Sequence, residues 1–132
     1  MSNNSQRPVG GGAATVLVVE DDPALRMLCQ VNLELEHYRV LEAGTLDRAA
    51  ELLIQEPVNL VLLDLHVGGH DGRELLPLIR SEQPEAAICL LSGTSESDPP
   101  PEEGVDGFIR KPFELEEFMR TVGRLSSDAV GL

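Results

Sequence analysis

The chain has 132 residues, with 10 Lys and Arg against 23 Asp and Glu and a formal net charge of -13 at pH 7. That length fits one domain with its own buried core and leaves no room for a second catalytic or DNA-binding domain. A surface this acidic opposes nucleic-acid backbones and anionic lipid, so neither is expected as a partner, whereas a basic patch on another protein is.

The first residues, Met1 to Ala14, carry one Arg and no apolar stretch, and so lack both the charged start and the apolar middle of a secretion signal. No apolar run approaches the length that spans a bilayer. Ser2 to Gly12 is polar and glycine-rich, with too little apolar surface to repay its ordering, and reads as a flexible leader. The expected division is a leader over 1–13, a folded domain over 14–126 and a tail over 127–132 that frays from Ser126. Cys29 falls in a helical pattern and Cys89 in an apolar strand run, where free cysteines behave as small buried hydrophobes. Both are expected to be reduced, in the cytoplasm.

From Thr15 short apolar runs alternate with helical periodicity, which argues for βα repeats and a parallel sheet. The first strand, Thr15 to Glu20, stops at Asp22-Pro23, a helix cap followed by proline at the first helical position. The first helix then runs to about Glu36, with Leu28, Val31 and Leu35 on its expected buried face. Tyr38 to Leu41 reads as the second strand. Leu46, Ala49, Ala50, Leu53 and Ile54 follow the amphipathic template of the second helix, which exits at Pro57.

Asn59 to Asp64 is the third strand, and Gly68, Gly69 and Gly72 make a loop before a helix that turns Leu75, Leu78 and Ile79 inward. Pro77 lies within that helix and removes a backbone donor, so a kink or a late start is expected there. Ala86 to Leu91 and Gly107 to Arg110 are the fourth and fifth strands. A final helix follows, with Leu115, Phe118, Met119, Val122 and Leu125 on one stripe. Between Ser92 and Gly107 the repeat calls for another helix, yet Thr94 to Gly104 has no large apolar residue and contains Pro99-Pro100-Pro101. Consecutive prolines exclude a helix across them, and a segment without an apolar face has nothing to dock. An acidic loop with at most one helical turn is expected.

Four apolar runs end on reactive polar residues: Glu20 and Asp21, Asp64, Ser92, and Lys111. Ligands bind in open α/β sheets beyond the strands' carboxyl ends, so these side chains share one site. Three acids there repel one another, and a hard divalent cation relieves the repulsion. Mg²⁺ suits because it takes one or two carboxylates and keeps waters that phosphate oxygens can replace. Asp64 then faces the metal as a candidate nucleophile toward phosphorus, which would give an acyl phosphate. The Lys111 ammonium and the Ser92 hydroxyl can each meet a phosphoryl oxygen, and Lys111-Pro112 is a candidate cis peptide.

Taken singly, each element has an ordinary reading: acids that solvate a strand end, Asp22 as a helix cap, Ser92-Gly93 as a turn. Their coincidence at four strand ends favours the site. His66 and His70 lie near Asp64, but their oxygen-rich surroundings and spacing match no zinc pattern.

The segments VLVVEDDPALR from Val16, LVLLDLHVGGHDG from Leu60, LLSG from Leu90 and GFIRKPF from Gly107 together resemble the receiver domain of two-component response regulators, over about Thr15 to Ser126. The resemblance implies a flavodoxin-like α/β fold, a doubly wound five-stranded parallel sheet in the order 2-1-3-4-5, here with the fourth helix short or missing. It implies Asp64 as phosphoacceptor, and Glu20, Asp21, Asp64 and the backbone carbonyl of His66 as ligands of Mg²⁺. Ser92 would be the switch hydroxyl, Lys111 the phosphate-pairing lysine and Phe108 the aromatic switch. The phosphoryl group would come from a sensor histidine kinase or a histidine phosphotransfer protein, and the chain would catalyse both its uptake and its hydrolysis.

Two departures stand out: Gly68 occupies a position where the family usually has proline, and the fourth-helix pattern is absent. The expected role is a single-domain, stand-alone receiver that signals by binding a downstream protein or relays the phosphoryl group. One alternative is a receiver-like interaction module that works without phosphorylation. Another is a dehalogenase-like phosphatase, which would carry its nucleophile on the first strand with a second aspartate two residues on, in a longer chain.

Overall fold

The computed structural model describes residues 14–93 and 104–129, with side chains through 127. Among the described residues, strands β1 (Thr15–Val19), β2 (Arg39–Ala43), β3 (Leu60–Asp64) and β4 (Ala87–Ser92) are joined through helices α1 (Pro23–Leu35), α2 (Leu46–Gln55) and α3 (Leu76–Glu82), and β5 (Gly107–Arg110) is followed by α4 (Leu115–Ala129). The strands form one parallel sheet in the order β2-β1-β3-β4-β5, as expected. Because β1 lies between β2 and β3, the loops leaving β1 and β3 diverge and open a crevice at their carboxyl ends.

Strand side chains alternate between two cores. Leu17, Val19, Val61, Leu63, Ile88 and Leu90 pack toward α2 and α3 with Leu53 and Ile79. Val16, Val18, Leu60, Leu62, Cys89 and Leu91 pack toward α1 and α4 with Leu33, Phe118 and Val122. Covering both faces removes the strands from water, which is why they read as unbroken apolar runs; each buried Leu or Val contributes about 1.5–3 kcal/mol. Cys29 and Cys89 are free and buried, and burial pushes both thiols up to about 12. Among the described residues no helix is long and apolar enough to cross a membrane.

Helix α1 corrects one expectation. Its sequence carries two apolar stripes, and the sheet takes the one containing Leu25, Cys29 and Leu33. Leu28, Val31 and Leu35 are left 44%, 47% and 69% exposed. In α2, Leu52 is buried and Ile54, expected on the inner face, is exposed. Leu115 is likewise partly exposed at the start of α4.

The late start expected around Pro77 is present: a 3-10 turn, Gly72–Leu75, precedes α3 and puts Pro77 in the first helical turn, where no backbone donor is needed. The glycine loop holds a two-residue hairpin that periodicity did not reveal, pairing His66–Val67 with His70–Asp71. Gly68 and Gly69 form its turn at φ 58° and 82°, the left-handed conformation such turns require.

The tail expected from Ser126 is helical through Ala129. Ser126 is fully buried, 3.1 Å from the Tyr38 hydroxyl, so burial of this polar pair keeps the chain in the helix. The leader over 1–13 and the proline-rich segment over 94–103 lie outside the described residues.

Candidate functional site

Parallel pairing in register brings the strand ends to one level: Val19 lies beside Leu63, and Asp64 beside Leu91. Glu20 and Asp21 follow β1, Asp64 closes β3, Ser92 closes β4 and Lys111 follows β5. One carboxylate oxygen from each of Glu20, Asp21 and Asp64 lies within 4.8 Å of the others. Glu20 and Asp64 are buried, whereas Asp21 is exposed. Lys111 Nζ donates to Glu20 Oε1 at 3.0 Å and to Asp64 Oδ2 at 3.2 Å, joining two strand ends through one ammonium.

Backbone groups complete the cluster. The Asp22 amide donates to Glu20 Oε2 at 3.1 Å, the His66 amide to Asp64 Oδ1 at 3.3 Å, and the Gly68 amide to Asp21 Oδ2 at 2.8 Å. Asp22 also caps α1, its Oδ1 accepting from the Ala24 amide at 3.0 Å, so its ordinary reading as a cap stands.

Burial raises the Glu20 carboxyl to about 7, with the charge of Asp64 adding to the rise and the Asp22 amide and Lys111 opposing it. Burial pulls the Lys111 ammonium down, but hydrogen bonding and charge from Glu20 and Asp64 outweigh it and leave its pKa raised. Lys111 is therefore charged at neutral pH, and one ammonium faces three acids. Burial is the main cause of the Glu20 rise, and three carboxylates whose oxygens lie within 4.8 Å of one another form an all-oxygen donor set that fits a hard divalent cation.

Ser92 is fully buried, and its hydroxyl donates to the Gly93 carbonyl at 3.3 Å. Phe108 packs against the α2–α3 side of the sheet, with the Arg110 guanidinium 5.7 Å from its ring centroid. His66 is exposed, and its backbone meets the site through the amide given above. The Lys111-Pro112 peptide is cis.

Two supporting residues escaped the sequence reading. Arg26 Nη1 donates to the Glu20 carbonyl at 2.7 Å and passes Gly44, where a Cβ would lie 2.9 Å from that nitrogen. Gly72 donates to the Leu65 carbonyl at 2.8 Å and sits where any Cβ would overlap the carbonyl oxygen of Asp64. The Asp-Gly pair at 71–72 was the available signal for the second.

The fold and the acid–lysine cluster define a receiver. The chain matches the response regulator receiver domain family over residues 16–123 and belongs to it. It is 37% identical to the transcriptional regulatory protein AruR of Pseudomonas aeruginosa over 112 residues, 79% of this chain and 46% of that protein. It is 33% identical to the response regulator protein FleR of the same species over 115 residues, covering 85% of this chain and 24% of that one. The chain thus spans less than half the length of these relatives.

Among solved structures, the non-phosphorylated HemR receiver domain of Leptospira biflexa is similar at TM-score 0.76 and 30% identity, covering 86% of this chain and 94% of that one. Response regulator TrrA of Thermotoga maritima, in complex with Mg²⁺ and BeF, is similar at TM-score 0.74 and 28% identity, covering 85% and 98%.

Proposed function

We propose that this receiver accepts a phosphoryl group on Asp64, in a Mg²⁺-dependent reaction, from the phosphohistidine of a sensor histidine kinase or a histidine phosphotransfer protein. The observation that carries the reading is the Lys111 ammonium shared by Glu20 and Asp64 at 3.0 and 3.2 Å: nucleophile, acid and counter-ion meet at one crevice. A new bond forms between an Asp64 carboxylate oxygen and phosphorus as the donor's phosphorus–nitrogen bond breaks and its electron pair leaves on the imidazole. The chain's task is positioning and charge neutralisation. Lys111 can turn from the Asp64 carboxylate to a phosphoryl oxygen, and the Ser92 hydroxyl can leave the Gly93 carbonyl for another. Glu20, Asp21, Asp64 and the His66 carbonyl are the groups to hold Mg²⁺, which when bound supplies further neutralisation of phosphoryl charge.

The donor histidine must come within bonding reach of Asp64, so the donor protein covers the mouth of the crevice. Beside Lys111 the mouth opens into a groove of about 480 Å³ lined by Leu25, Leu28, Gly93, Pro112 and Phe113. Farther along α1, Val31 and Leu35 are exposed as well, apolar side chains that suit a protein partner. Ser92 and Phe108 carry the response to phosphorylation, and output passes to a downstream protein or onward by relay, in the cytoplasm. Water attack on the acyl phosphate returns the carboxylate.

Incubation with Mg²⁺ and a small phosphodonor such as acetyl phosphate should add one phosphoryl mass to the wild type and none to Asp64→Asn. Labelling of both, or of neither, would refute the assignment.

A further inference from the structure

Glu20 stands one residue beyond β1, and its amide makes the sheet's hydrogen bond to the Ala43 carbonyl at 3.0 Å. The next peptide joins the two acids, and a side chain holds its carbonyl: Arg26 Nη1 donates to the Glu20 oxygen at 2.7 Å. Arg26 lies one turn into α1, with its own amide on the Asp22 carbonyl at 2.9 Å, so the helix reaches back to the loop that starts it. The guanidinium is itself held. Its Nε pairs with Glu42 Oε1 of β2 at 3.4 Å, both side chains being half-buried, and a planar fork anchored at Nε aims Nη1 in one direction. Turning the peptide between two ligating acids moves one carboxylate relative to the other, and metal affinity depends on the groups that fix ligand orientation.

We infer that Arg26 is a positioning residue for the cation site: it clamps the Glu20–Asp21 peptide and so fixes how the two acids are presented to the cation. This rests on the reading that Glu20, Asp21 and Asp64 hold a divalent cation. Charge alone predicts the opposite sign, since a guanidinium beside a cation site repels the cation. Losing Arg26 therefore weakens binding if the residue positions the acids, and tightens binding if it acts only as a charge.

The test titrates the full chain with MgCl₂ alone, by calorimetry and by amide NMR, as wild type, Arg26→Met and Arg26→Lys, with urea unfolding in chelator to follow stability separately. Methionine keeps an apolar stem and removes every donor; lysine keeps the charge and a donor able to meet the carbonyl. Arg26→Met should bind Mg²⁺ about 10-fold more weakly, with Arg26→Lys between it and wild type. Wild-type or tighter binding by folded Arg26→Met, whatever its urea midpoint, overturns the inference, as does a lysine variant as weak as the methionine one; both results leave the cation site standing. A wild type that binds no Mg²⁺ overturns the cation reading and this inference with it. Should Arg26→Met fail to fold, the wild type decides. Linkage is reciprocal, so Mg²⁺ should slow rotation and proton exchange of the Arg26 guanidinium, and unchanged guanidinium NMR signals at saturating Mg²⁺ would be decisive against the clamp.

Discussion

Replacing Glu20 by Gln removes a buried charge while nearly preserving shape. Glu20 titrates near 7 in the folded protein against an ordinary 4.5, a difference of ~3 kcal/mol between its two protonation states. Between those values the folded state holds the proton that the unfolded state has released. The Glu20 contribution to stability is therefore fully present below about pH 4.5, declines as pH rises, and is lost above about pH 7. In the cation-free protein at pH 8, Glu20→Gln should be more stable than wild type by at most ~3 kcal/mol. The gain is reduced by what Lys111 loses when it keeps only Asp64 as a charged partner.

Urea unfolding in chelator, at steps from pH 4.5 to 8, measures this; groups that do not touch Glu20 cancel in the difference between the two proteins, which leaves Glu20 with its neighbours Lys111 and Asp64. The difference should be near zero at the acid end and grow toward pH 8. Mg²⁺ added at pH 8 should stabilise the wild type preferentially, since a ligand that binds only the folded state adds stability by mass action. A difference that does not change with pH, or a variant less stable than wild type at pH 8, would show that Glu20 is not strained by burial.

Two further substitutions probe the scaffold. Gly72→Ala would drive a Cβ into the Asp64 carbonyl oxygen; overpacking of this kind costs about 1–3 kcal/mol. Its urea midpoint should fall and Asp64 labelling should slow, and a wild-type midpoint would refute the close approach. His37 ends α1 at φ 72°, a left-handed position that suits glycine. His37→Gly should raise stability by ~1 kcal/mol in the same assay, and a loss would show that the imidazole has a compensating contact.

The polar strand ends were legible because each is local. An apolar run followed at once by Glu20, Asp64, Ser92 or Lys111 needs only chain order and the parallel-sheet rule to converge on one crevice. The irregularity at Pro77 was legible for the same reason, since proline acts on its own backbone, though the choice of a late start at Leu76 over a kink was made by the fold. What escaped were choices between equivalent local patterns. Either stripe of α1 could face the sheet, and only packing against β1 and β2 buried Cys29 and Leu33 while leaving Leu28, Val31 and Leu35 outside. Ser126 read as tail because its partner, Tyr38, is 88 positions away.

Sequence alone therefore determined the βα-repeat fold class and the identity of the clustered acids and lysine, which follow from periodicity and chain order, while the strand order was what the resemblance to receiver domains implied. Tertiary structure alone decided the bond from Gly68 to Asp21, the seat of Gly72 against Asp64 and the rise of Glu20 toward neutrality. Each depends on how far water is excluded and how closely distant backbones approach, quantities no stretch of residues carries by itself.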